Sequence, residues 1–219
     1  MKARTTSSPR IGAFRLPPLT EGDPEELGSE ATLDGVRFTN LDVTGIDLSG
    51  STFSECEVDG LRARDAGMRG VRIVESVVRG LDVPVLRAAR STWRDVILDG
   101  GRVGSAELYD SSWSSVRITG CKLGFINLRS SKVLDVLFED CTIDELDLGG
   151  ATVARIAFRD SSLKTLDVQG ARLQDVDLRG LEFDRVSGVD SLGGAIIDSG
   201  QLSMIAPLLA ESIRLRVVD

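Results

Sequence analysis

Apolar residues recur along this chain every five positions. From residue 31 to residue 185 the sequence divides into 31 consecutive five-residue units without an insertion or deletion, and the central residue of every unit is apolar. These centres run from Leu33, Phe38, Val43 and Leu48 to Leu178 and Phe183. The residue two before each centre is apolar in 24 of the 31 units, and the other seven are Ser51, Ser76, Ser91, Gly101, Ser111, Ser131 and Ser161. Charge is confined to the three remaining positions. Residues two apart on an extended chain share a face, so two residues of each unit are expected to point inward. The rest of the unit must turn a corner. Glycine marks it: eleven of the sixteen glycines between 31 and 185 stand two residues after a centre, where a corner demands positive φ.

Four corners close a square, and a twenty-residue period overlies the five-residue one. Among the positions two before a centre, one wall reads Ala31, Ser51, Val71, Ser91, Ser111, Ser131, Ala151, Ala171, while the next reads Val36, Cys56, Ser76, Val96, Val116, Val136, Ile156, Val176. Small and larger walls are segregated, as stacked coils of fixed cross-section require. Trp93 and Trp113 are centres twenty apart with Ser91 and Ser111 two residues earlier, which predicts both indoles inside the rod, one coil apart. Phe53, Phe138 and Phe158 are further expected core residues. At ~4.8 Å per coil the rod is on the order of 35 Å long.

The pattern sets three expected regions. Residues 1–30 form an N-terminal tail or arm, whose Ile11, Phe14, Leu16 and Leu19 are suited to covering the open edge of the first coil. Residues 31–190 form an all-β helical rod of parallel coils. Residues 191–219 form a short α-helical C-terminal cap, with Asp198-Ser199-Gly200 as its start and a kink or break expected at Pro207. Leu202, Ile205, Leu208, Leu209 and Ile213 are more apolar positions than one coil edge can cover, so they are also the candidate interface of a homodimer.

Composition narrows the function. The chain has 34 acidic and 26 basic side chains, a net charge of −8, which disfavours direct binding of nucleic acid or of an anionic membrane. There is no membrane-span pattern and no signal-peptide core, so a cytoplasmic protein is expected. Histidine is absent, which removes Ser-His-Asp and Cys-His activation and the commonest metal ligand. The three cysteines match no zinc spacing and are expected as reduced, buried thiols. No phosphate-binding loop or nucleophile elbow is present. Neither a catalytic residue, nor a metal, nor a cofactor is expected, and the chain reads as a binding protein, not an enzyme.

Units such as Leu146-Asp147-Leu148-Gly149-Gly150 and Val176-Asp177-Leu178-Arg179-Gly180 resemble the pentapeptide-repeat family. That resemblance implies a right-handed quadrilateral β-helix. Length, acidity and the helical C-terminal segment are similar to the branch that binds DNA gyrase or topoisomerase IV, mimics DNA and protects against quinolones. The chain departs from some of those members in lacking projecting loops and a frame break. The alternative is a structural or regulatory scaffold for an unrelated protein.

Two surface features bear on the choice. Glu55, Glu75, Asp95, Asp135 and Asp175 recur at one corner and form a candidate partner-binding acidic stripe, although such a run of charge is more often simply a solvated face. Residues 21–60 carry eleven acidic side chains and one basic, whereas 61–104 carry five acidic and nine basic, so the middle of the rod is locally positive.

Overall fold

In a computed structural model, which describes residues 7–216, the chain is a parallel β-solenoid of about nine turns with one C-terminal helix. Every coil of the repeat stacks on the last at an offset of twenty residues: Phe53 pairs with Ile73, Ile73 with Trp93, Trp93 with Trp113 and Trp113 with Val133. The centre of the rod is made of three strands of sixteen residues, Arg72–Arg87, Thr92–Glu107 and Ser112–Asn127, each bending around corners without leaving the ladder.

Inward positions fill the rod. Trp93 and Trp113 are each 4% exposed, with ring centroids 5.2 Å apart, and Phe53 and Phe138 are buried beside the same axis. Phe158, expected in the core, is only half-buried. It packs against the core and stacks on Phe138 with ring centroids 5.0 Å apart, but is not enclosed as Phe138 is. The interior includes two small voids of about 40 and 30 Å³, both lined mainly by apolar side chains.

Corners are where the backbone is special. Gly35, Gly60 and Gly150 take positive φ as the spacing demands, yet so do Glu55, Asp95, Ser115 and Asp135, whose short or acidic side chains occupy the left-handed conformation in the column of Gly35. A different constraint acts at Gly124, where a Cβ would run into the Gly104 carbonyl oxygen of the coil below.

The serines among the inward positions satisfy backbone polar groups as well as saving space. The Ser91 N–H donates to Ser111 Oγ and the Ser111 N–H to Ser131 Oγ, both at 3.0 Å, while Ser131 Oγ donates to the Leu108 carbonyl at 3.0 Å. Trp93 Nε1 donates to Ser91 Oγ at 2.7 Å. Cys56 and Cys141 take the same role, each thiol reaching the carbonyl 23 residues earlier, Leu33 and Ile118 respectively. The result is a ladder of buried hydroxyls and thiols that ties coil to coil.

Both ends of the rod are covered. Thr20–Glu21 add a strand beside Val36 and Arg37, offset by sixteen residues instead of twenty, and Leu27 packs onto the core below. At the other end Ala195–Ile196 pair with Val176 and Asp177 at an offset of nineteen. The helix Ser199–Ser212 follows, started by a reciprocal pair of bonds between Asp198 and Gln201. Gln201 also donates through Nε2 to the Leu178 and Leu181 carbonyls at 2.6 and 2.7 Å, and Ile205 is 3% exposed against the rod. Of the two forms expected at Pro207, a kink or two short helices, the second does not occur: the helix runs through Pro207 as one element.

Replacing Ser111 by Ala leaves the Ser91 N–H buried without its acceptor. The expected cost is about 1–3 kcal/mol in urea denaturation, whereas Ser162→Ala, on the exposed side of a strand, leaves the midpoint nearly unchanged. Equal effects of the two changes would contradict the ladder.

Candidate interaction surface

A filled, convex rod presents chemistry only on its outside, where every outward position is a column with one side chain per coil. The corner column holds Gly35, Glu55, Glu75, Asp95, Ser115, Asp135, Arg155 and Asp175, all at positive φ. The five predicted carboxylates therefore do stand in one line, but they are not equivalent. Arg155 grips Asp135 through Nε and Nη2 at 2.6 and 2.8 Å, and Asp135 is left 7% exposed. Glu55, Glu75, Asp95 and Asp175 are half-buried.

The N-terminal arm lies on this column. The Arg10 N–H donates to Asp135 Oδ1 at 2.8 Å and the Gly12 N–H to Ser115 Oγ at 2.9 Å, while Gly12 sits against the Asp95 carboxylate. From Thr20, paired with Val36 at the first coil, the chain thus runs back along the side of the rod instead of across its end. Ile11, Phe14, Leu16 and Leu19 are half-buried, whereas Arg10, Gly12, Ala13 and Arg15 are exposed. One side of an extended segment is turned toward the wall.

The wall beside that corner explains what the arm covers. Its outward column reads Arg37, Glu57, Val77, Ile97, Arg117, Leu137, Ala157 and Asp177, each paired with the next. Val77 and Leu137 point outward and are nevertheless 6% and 7% exposed. Between Ile97 and Leu137, Arg117 has its Nε shut away from solvent with no hydrogen-bond partner among the described residues. A bare rod wall would expose Val77 and Leu137, and the arm, fastened at the adjoining corner, is the segment placed to shield them. The signal was present in the sequence as apolar residues at outward positions, at a twenty-residue spacing, on one wall.

Elsewhere the surface is a lattice of ion pairs between coils. Glu57 receives both Arg37 and Arg79, Arg129 bonds Asp147, Arg159 bonds Glu139 and Lys164 bonds Asp144, at 2.6–3.2 Å. Many of the basic residues of 61–104 lie apart from these pairs, but Arg87 meets Asp65 at 3.0 Å. Of the proposed dimer residues, Ile205 turns into the rod and Leu209 is half-buried, while Leu202, Leu208 and Ile213 are 51%, 40% and 72% exposed. Met204 and Leu215 add to that open apolar surface.

The thiols are interior. Cys56, Cys121 and Cys141 are free and buried. Burial pushes the Cys56 thiol above its ordinary range, and Cys121 holds its proton through a hydrogen bond to Cys141 and through burial. Among the described residues no group of His, Cys, Asp or Glu is arranged to hold a metal ion, and no helix is long and apolar enough to cross a membrane.

Burial alone would raise the Asp135 carboxyl, but the Arg155 guanidinium and the Arg10 N–H outweigh it and hold the group below the usual carboxylate range. Its unfolded value is about 3.9, so the stabilisation it supplies is complete above roughly pH 5 and drains away as pH falls through the lower folded value. Denaturation of the parent and of Asp135→Asn is expected to differ at pH 7 and to converge near pH 2. A gap of unchanged size at pH 2 would refute the assignment.

Comparison with known proteins gives one family match. The model for pentapeptide repeats matches residues 29–70 with 8 copies. No curated protein matches the chain. Among solved structures, full-length QnrB1, a plasmid-mediated fluoroquinolone resistance protein, is 19% identical over 86% of this chain and 94% of its own, with a TM-score of 0.38. A trypsin-treated form of QnrB1 is 21% identical over 85% and 90%, with a TM-score of 0.35. HetL, a pentapeptide-repeat protein involved in heterocyst differentiation regulation from the cyanobacterium Nostoc sp. strain PCC 7120, is 18% identical over 78% and 91%, with a TM-score of 0.39.

Proposed function

We infer, from its being a pentapeptide-repeat protein whose coils are filled and whose surface is ordered in columns, that this chain is a non-catalytic module that binds a protein partner. The observation that carries the reading is the rod itself: side chains stand on a convex face at one coil's spacing, and a convex face suits a complementary surface, not the enclosure of a substrate. The partner favoured is a type II topoisomerase, DNA gyrase or topoisomerase IV, with protection against quinolones as the consequence. Net charge of −8 and the corner carboxylates Glu55, Glu75 and Asp175 support a partner with a basic groove, as a DNA-mimicking rod would have. The open apolar side of the C-terminal helix, with Leu202, Leu208 and Ile213, supports a homodimer through that end.

A second reading, a scaffold for an unrelated protein, is favoured by the ion pairs that cross from coil to coil. Glu57 between Arg37 and Arg79, and Asp135 under Arg155, interrupt the negative field that a mimic of duplex DNA would present.

Purified protein is expected to inhibit supercoiling by gyrase and to reduce quinolone-induced cleavage. Absence of both effects with enzymes from several bacteria would leave the scaffold as the function. Light scattering is expected to give the mass of two chains for the parent and of one for Leu208→Glu with Ile213→Glu; a parent of one chain would overturn the dimer.

A further inference from the structure

The N-terminal arm is a tethered occupant of a surface built for an extended segment. Four observations converge on it. Two successive coils offer acceptors, Ser115 Oγ and Asp135 Oδ1, to two alternate backbone N–H groups, Gly12 and Arg10, which is how an extended strand is held by a row of side chains. The wall alongside is apolar where a solvated wall is charged, at Val77, Ile97 and Leu137. Charge is complementary, since residues 7–19 contain Arg10 and Arg15 and no acidic residue, while the corner beneath them carries Asp95 and Asp135. Finally, the buried Nε of Arg117, on the wall beside the arm, has no acceptor among the described residues, so residues 7–19 do not satisfy every polar group of the site.

The attachment is light. Arg10 and Gly12 are held by side-chain acceptors and not by a strand ladder, and the arm's apolar side chains are half-buried, in contrast to the ladder that holds Thr20 and Glu21. We propose that the outer face formed by Val77, Ile97, Leu137, Ser115 and Asp135 is a docking site for an extended segment of a protein partner, basic and apolar in composition, and that residues 7–19 fill it in cis until such a segment displaces them. The binding energy would come from apolar side chains laid on the wall and from backbone N–H groups given to the corner acceptors. An acceptor placed near Arg117 would favour the partner over the arm. The proposal needs a protein-binding rod but not a topoisomerase, and its test contains none.

The probe is a fluorescein-labelled peptide with the sequence of residues 7–19, and the readout is fluorescence anisotropy with the full chain. Ile11→Asp with Phe14→Asp loosens the arm while leaving every coil intact, which circular dichroism verifies. The peptide is expected to bind this variant, and to bind the unaltered chain roughly tenfold or more weakly, because a short tether gives the arm an effective concentration on the order of millimolar. Adding Leu137→Asp, or the milder Ser115→Ala, is expected to reduce binding to the loosened variant. Should the loosened variant not fold, excess unlabelled peptide added to the unaltered chain is expected to speed hydrogen exchange at the Arg10 and Gly12 amides. Equal affinity for the parent and the loosened variant would overturn the proposal, as would no binding to a folded loosened variant, or arm amides indifferent to saturating peptide. Loss of gyrase inhibition would leave all of these results untouched.

Discussion

Everything in this molecule depends on one register, the parallel pairing of each residue with the one twenty positions later. That pairing satisfies the backbone of each coil with the backbone of its neighbours, and a buried polar backbone has no cheaper alternative. It also forces like positions to stack, so that a choice made once in the repeat is made on every coil. Trp93 over Trp113 and Phe138 under Phe158 are results of the register as much as of side-chain preference. Where the offset changes, to sixteen at Thr20 and nineteen at Ala195, the rod stops.

The same register makes the surface a set of columns, and it decides which charges find partners. An Arg and a carboxylate twenty residues apart face each other across about one coil spacing, as Arg155 and Asp135 or Arg159 and Glu139 do. Most such pairs are exposed and contribute little. Their effect is on the field: alternation of sign within a column cancels what uniform carboxylates would sum. The inner columns obey a parallel logic, in which Ser and Cys stand where a corner would otherwise leave an N–H or a carbonyl without a partner.

The rod itself was legible because its cause is local and periodic. Two apolar residues in five, and glycine at the corners, specify the inward face and the turn with no knowledge of distant contacts. Seven non-apolar inward positions were legible as small, but the bonds their serines make between coils were not, since those bonds join residues 20 or 23 apart and depend on a corner geometry that composition does not reveal. The half-burial of Phe158 was not legible either, because it occupies the same place in the repeat as the enclosed Phe138 twenty residues earlier. The arm is the clearest gap. Arg10 meets Asp135 across 125 residues of sequence, and a backbone N–H can meet any acceptor, so no residue type in the arm announced its place. Its destination was announced on the other side, by Val77, Ile97 and Leu137 standing outward on a rod whose outward positions are otherwise largely polar.

The coils are not equally continuous. Around Asp42, Asp47, Arg62 and Gly67 the ladder is reduced to isolated bridges, whereas residues 72–127 run in three long strands. Backbone bonds still join each of these coils to the next. The arm begins at the first coil and fastens at Ser115 and Asp135, several coils along. It therefore lies like a splint, joining directly coils that the backbone ladder, which links only neighbours, leaves connected through every coil between.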